Sequence, residues 1–158
     1  MRLRSFLAAF LALLLFATPA SAYTREEVRA RYGAISDWAR GDLFAVSPST
    51  AAPYSAGEVR AEALEDALDY LNFLRWLAGL GAVQLDPALT SIAQQGAVLT
   101  AANGFVSHDP PAPKDMDAAF YDAAHYAASS CNIARLNWTS EDVLRQGVLY
   151  FARDDGEA

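Results

Sequence analysis

Ser107-His108-Asp109 sets a hydroxyl, an imidazole and a carboxylate side by side in one loop, and Cys131 adds a thiol further on. Such groups do nucleophilic and acid–base chemistry when they converge in space. Three consecutive residues project in diverging directions, so the loop spells a catalytic triad without building one. His108 or His125 would have to serve as base to a Cys131 thiolate. No orienting partner is visible, and a lone cysteine is most often a small, buried, inert residue. A metal site would need His108 and His125 with carboxylates from Asp109, Asp115, Asp117 or Asp122, yet no tight spacing of the His-Glu-x-x-His kind occurs. Those acids otherwise cap helices and face water. Taken alone, His108 is a loop histidine that anchors its turn by hydrogen bonding.

The elements that must position these residues are mostly helical. Thr24-Arg25-Glu26-Glu27 is a capping box that opens a helix running to about Arg40 and stopping at Gly41. Residues 45 to 57 carry two prolines and no period, and read as an extended linker. From Glu58 to about Ala78, Leu64, Leu68, Leu71 and Leu74 recur at helical spacing, with Glu62, Glu65, Asp66 and Asp69 mostly off that stripe. Asp86 caps the next helix, Pro87 opens it, and Gly104 suits a left-handed end. Its apolar face holds Leu89, Ile92, Ala93, Gly96 and Leu99 or Thr100. Pro110, Pro111 and Pro113 keep the following loop out of helix. A short helix is expected over 116–126, a short strand over 131–138, and a last helix capped by Thr139 or Ser140 and running through Phe151. Asp154-Asp155-Gly156 reads as a turn. Tyr54, Tyr70, Trp76, Phe120, Tyr121 and Tyr126 fit core or rim positions better than a ligand cage.

At 158 residues and 53% hydrophobic, one domain is the natural expectation. Its first 22 residues read as a secretory signal: Arg2 and Arg4, a charge-free run from Phe6 to Phe16, then Ala20-Ser21-Ala22. That run is shorter than the roughly 20 residues that span a bilayer. No other run is long and uncharged enough to do so. Cleavage after Ala22 would take the basic residues from 12 to 10 against 19 acidic ones, a net charge of −9. Such a chain repels nucleic acid and anionic membranes. The single cysteine permits no internal disulfide, which together with the signal points to a bacterial source. Asn137-Trp138-Thr139 matches a glycosylation acceptor and is expected to be bare.

The order of these pieces resembles the CAP superfamily of cysteine-rich secretory, antigen-five and pathogenesis-related proteins, over about Leu64 to Ala134. Leu71-Asn72-Phe73-Leu74-Arg75 stands where that family has His-Asn-x-x-Arg. Leu85-Asp86-Pro87-Ala88-Leu89 with Ile92-Ala93-Gln94 is similar to its Trp/Leu-Asp-x-x-Leu…Ala-Gln pattern. Ala101-Ala102-Asn103-Gly104 through Ser107-His108 resembles the approach to its first histidine, and Ser130-Cys131-Asn132-Ile133-Ala134 its Gly-Glu-Asn-Leu-Ala segment. A bacterial subgroup with Ser-Ser-x-Asn-Ile/Leu-Ala is the nearest in form.

The resemblance implies an α+β fold, the CAP-type α-β-α sandwich, with this chain covering mainly its helical N-terminal part. The expected organisation is a signal peptide at 1–22, a helix and linker at 23–57, and a partial CAP domain at 58–158. In eukaryotic-type members two histidines and two glutamates line a cleft and can hold a divalent metal. Here His108 stands for the first histidine, Cys131 replaces the first glutamate, and Leu71 replaces the helix histidine. The second half of the pattern would follow residue 158, so the expectation is a C-terminally truncated domain. The expected function is binding, outside the cell or in its envelope, of a peptide, lipid or cell-envelope component in a cleft edged by His108, Ser107 and Asn132. No cofactor is implied beyond zinc or a similar metal at His108. The alternatives are a hydrolase or metal-dependent enzyme completed beyond residue 158, and a structural surface module.

Overall fold

The structure, a computed structural model, describes residues 23–35, 42–135 and 143–153. The expected signal peptide, Asn137, the Thr139 or Ser140 cap, residues 136–138 of the expected strand and the turn at 154–156 lie outside the described residues. By contacts the chain divides into two compact units, Met1–Ala34 and Ile35–Ala158.

The first unit contains helix α1, Arg25–Gly33. Its capping box forms as the sequence predicts: the Glu27 amide donates to Thr24 Oγ1 at 3.1 Å, and the Thr24 amide donates to Glu27 Oε2 at 2.7 Å. The helix ends at Gly33 rather than near Arg40. Glycine is a poor helix former, and α1 buries no side chain that would offset it.

The second unit opens with an antiparallel hairpin, β1 (Phe44–Val46) and β2 (Glu58–Val59), where the sequence suggested a linker. Phe44 pairs with Val59 and Val46 with Glu58 across a register shift, and Ser49 bridges to Ser55. The hairpin depends on Gly57, whose φ is +65° and whose missing Cβ would lie 2.3 Å from the Val46 carbonyl oxygen. Pairing through serine backbones and one close glycine contact leaves no alternating apolar pattern to read.

Helix α2 spans Ala61–Leu77, starting after the strand that the sequence assigned to helix. Its most buried residues are Ala63, Asp66 and Phe73, while the leucine stripe at 64, 68, 71 and 74 is half-buried. Asp66, expected off the buried face, is buried because a guanidinium meets it, as described below. Helix α3, Pro87–Asn103, has the predicted boundaries: Asp86 Oδ1 accepts from the Ala88 and Leu89 amides, and Gly104 takes φ +72°. Leu89 and Ala93 are nonetheless exposed. Helix α4, Ala118–Ser130, is capped by Asp117 and runs a turn past the expected end.

Helices α3 and α4 pack closely along small residues. A Cβ on Gly96 would stand 2.8 Å from that of Ala127, and Ala124, Ala127 and Ala128 are fully or almost fully buried. This contact explains the extra turn of α4, since the residues beyond Tyr126 carry the packing. Residues 131–135 form no strand. The last helix, α5 (Val143–Ala152), packs on α2. Among the described residues the protein is therefore a helix-rich α+β structure with one small two-stranded sheet. No described helix is long and apolar enough to cross a membrane.

Candidate functional site

The last turn of α4 is a junction between a pinned loop and an open groove. On the loop side His108 is exposed as a residue, yet its Nδ1 reaches the buried Ala128 carbonyl at 2.6 Å. A carbonyl only accepts, so Nδ1 carries the proton and Nε2 is left as acceptor in the neutral ring. Ser107 Oγ accepts from the Asp109 amide at 3.0 Å, closing a local turn. Further clamps hold the proline-rich stretch. Tyr121 donates to the Pro110 carbonyl at 3.1 Å, Asn103 to that of Pro111 at 3.1 Å, and Tyr54 to that of Lys114 at 3.2 Å. Pro110 itself is fully buried.

His125, on α4, meets Asp109 across this loop, Nε2 to Oδ1 at 2.8 Å, with the Tyr121 ring at 5.4 Å. The Asp109 side chain is 95% exposed, so water screens the pair. Two members of the metal set named from sequence are thus brought together. Among the described residues no three of His, Cys, Asp and Glu converge as a metal site requires. Ser107 and His108 serve the turn, and His125 serves Asp109. No hydrogen bond among the described residues links Cys131 to either histidine.

On the other side of Ala128 lies a groove of about 680 Å³ between α3, the end of α4, residues 131–135 and α5. Asn132 lines it; Ser107 and His108 do not. Of the three cleft residues named from sequence, one is therefore in the groove, and His108 is joined to it through Ala128. Cys131 is half-buried in the same lining. The walls are chiefly apolar, with Ala97 and Ala101 from α3 and Val148 and Phe151 from α5. Thr100 lines it as well, and its Oγ1 is buried with no hydrogen-bond partner among the described residues. Arg135 closes one end, where its Nη1 donates to the Gly104 carbonyl at 2.6 Å.

Two long-range ties set the frame. The Arg145 guanidinium of α5 holds the Asp66 carboxylate of α2 through Nε and Nη2 and lies 5.8 Å from the centre of the Tyr70 ring. Asn72 donates to the Val83 carbonyl at 3.0 Å and accepts from the Val83 amide at 2.8 Å, as a neighbouring strand would. Arg75 Nε donates to the Gly81 carbonyl at 2.7 Å.

Sequence reading missed Arg135 and Thr100 as groove residues. The signal for Arg135 was present, since it is the sole lysine or arginine between Lys114 and Arg145. The sequence marks Thr100 only as an alternative to Leu99 on the apolar face of α3. Comparison with protein-family models, curated proteins and solved structures finds no match.

Proposed function

We propose that this chain is an exported domain of the CAP type that acts by binding, outside the cell or in its envelope, a peptide, lipid or envelope component. The observation that carries the binding reading is the groove beside the end of α4, with Asn132 in its lining and its wall tied to the His108 loop. A volume near 680 Å³ lies within the roughly 300–1,000 Å³ of small-molecule sites. An apolar groove edged by a few polar groups is the usual form of such a site.

The family assignment is supported by the order of its matched residues and by the work each does. Asn72 and Arg75 brace the loop after α2, Asp86 and Gly104 bound α3, and His108 anchors the loop to α4. Cys131 at the glutamate position removes a carboxylate from the cleft, which favours binding over hydrolysis.

The test is an amide-resolved NMR titration of the chain with three probes: trialanine, dodecanoate and a soluble muropeptide. Binding at the groove is expected to move the amides of Ala97, Ala128, Asn132 and Gly147 for at least one probe. Ala97→Phe, at an exposed position in the lining, is expected to abolish those shifts without lowering helix content. No shift with any probe, or shifts scattered away from these residues, overturns the binding reading.

A further inference from the structure

The segment after α4 has the pattern of a strand and no strand to pair with. Cys131 is extended, with φ −104° and ψ 160°. From there the side chains alternate: Cys131 and Ile133 are half-buried, Asn132 and Ala134 exposed. The Cys131 amide donates to the Ala127 carbonyl and so closes the helix. Beyond it, the amides and carbonyls of Asn132, Ile133 and Ala134 have no hydrogen-bond partner among the described residues. Residues 131–135 all line the groove. A row of open donors and acceptors along a groove wall is a template for another extended chain.

The chemistry of this wall selects what can cover it. A ligand seated there strips water from the backbone groups, and each group left unpaired costs free energy. An alkyl chain returns nothing for that loss. An extended peptide brings one donor and one acceptor at every residue. Five residues at about 3.3 Å each make a wall of about 16 Å, the length of a peptide of four or five residues. Charge fixes which end of the peptide lies where. Among the described residues that line the groove, Arg135 alone is charged, in a chain of net charge −7. Its Nη1 donates to the Gly104 carbonyl at 2.6 Å, and a guanidinium has five donors. Among the described residues no carboxylate pairs with it. Its remaining fork matches a carboxylate. A peptide with apolar side chains, as Ala97, Val148 and Phe151 require, carries its carboxylate at the C-terminus.

Resting on the binding reading above, we infer that the groove takes the C-terminal end of an extended, apolar peptide, which adds as a strand parallel to residues 131–135 and sets its terminal carboxylate on Arg135. Backbone pairing then supplies much of the affinity, and the ionic contact sets the register. Only alternate peptide amides face the wall, so blocking those weakens binding about tenfold while blocking the others does not. Loss of the charged contact weakens it about tenfold or more.

The experiment titrates the chain, by calorimetry and amide NMR, with acetyl-Ala-Val-Ala-Val. The peptide is used as the free acid, as its C-terminal amide, and as two free acids N-methylated at one or the other alternate pair of residues. The free acid is expected to bind once per chain and to slow hydrogen exchange at Asn132, Ile133 or Ala134. One N-methylated form should bind about tenfold more weakly and the other like the parent. Arg135→Gln should weaken the free acid about tenfold and leave the amide unchanged. Equal binding of the parent and both N-methylated forms overturns the inference, as does equal binding of acid and amide, and either leaves the binding reading standing. Groove shifts with dodecanoate and with none of the peptides assign the site to a lipid and overturn the inference alone. Dimerisation that protects the same amides, with no peptide bound, identifies a second copy as the occupant and overturns it too. No groove shift with peptide, dodecanoate or muropeptide overturns both readings together.

Discussion

Arg145 and Asp66 stand 79 residues apart in the chain, yet the guanidinium of one closes on the nearly buried carboxylate of the other. The pair ties α5 to α2, and α5 supplies one wall of the groove through Val143, Leu144, Gly147, Val148 and Phe151. A buried charge without its partner is costly, whereas replacing both charges with apolar groups of similar size often is not. Arg145→Met is therefore expected to destabilise the protein by about 2 kcal/mol, below the roughly 3–5 kcal/mol of a fully buried pair because Arg145 keeps 19% of its side chain exposed. Asp66→Leu combined with Arg145→Met should recover most of that loss. Denaturant titration of the two variants measures both values, and a loss below about 0.5 kcal/mol in the single variant would show that the pair is not formed in solution.

The contact between α3 and α4 is equally specific in its demands. A Cβ at Gly96 would stand only 2.8 Å from the Ala127 methyl, with backbone of Ala124 and Ala128 close behind, so an added methyl has no flexible neighbour to displace. Gly96→Ala gains helix propensity worth about 1 kcal/mol. Overpacking costs about 1–3 kcal/mol in a close-packed interior. The net expectation is a loss of about 1 kcal/mol, growing in Gly96→Val, read from thermal or denaturant unfolding. A stabilised Gly96→Ala protein would refute the close approach of the two helices.

These two relationships mark what the sequence could and could not reveal. The ends of α3 were legible because Asp86, Pro87 and Gly104 act within one turn of themselves, and so was the Thr24–Glu27 box. The hairpin was not, because Gly57 matters through a contact with Val46 rather than through any period. Asp66 looked like a solvent-facing acid, since its partner is far along the chain. The short strand expected from 131 rested on local composition, and residues 131–135 follow α3 and the groove instead. For the site, one of the three residues named, Asn132, was placed in the groove. Ser107 and His108, named with it as cleft residues, lie in the loop outside the groove lining, where His108 bonds to the Ala128 carbonyl and Ser107 to the Asp109 amide.

Asn72 shows how a side chain can substitute for a strand. Its amide satisfies both the N–H and the carbonyl of Val83, and Arg75 holds Gly81 beside it. Asn72→Ala removes two hydrogen bonds and leaves two loop backbone groups to water, an expected loss of about 1–2 kcal/mol for a half-buried site. Asn72→Asp keeps the acceptor for the Val83 amide and replaces the donor with a repelled carboxylate oxygen, so it should not rescue. Hydrogen exchange at Val83 gives a local readout: the amide is expected to exchange at least tenfold faster in both variants. Unchanged protection would mean that Asn72 does not hold this loop.

The capping box makes a prediction about pH. The Thr24 amide and then its hydroxyl donate to Glu27, and both hold its carboxyl below the ordinary glutamate value of 4.5. A value depressed in the folded state means the stabilisation is complete above about pH 4.5 and disappears as pH falls through the lower folded value. Side-chain carbon NMR should therefore give a Glu27 midpoint below 4.5, and Thr24→Ala should bring it back toward 4.5. A wild-type midpoint at or above that value would mean that the box opens in solution.

His108 provides the test that joins loop to groove. Its Nδ1–H is the link between the Ser107–Pro113 turn and the Ala128 carbonyl, and Ala128 lines the groove on its other side. His108→Ala leaves that buried carbonyl without its side-chain donor, which is expected to cost about 1 kcal/mol. If His108 acts only as an anchor, the variant should loosen the loop and leave groove affinity within about threefold of wild type, because Tyr121, Asn103 and Tyr54 still hold the loop at Pro110, Pro111 and Lys114. His108→Asn, which keeps a donor on a shorter arm, should recover part of the stability. A loss of binding greater than tenfold in His108→Ala, with the fold intact by circular dichroism, would instead place His108 in contact with the ligand and extend the groove across the end of α4.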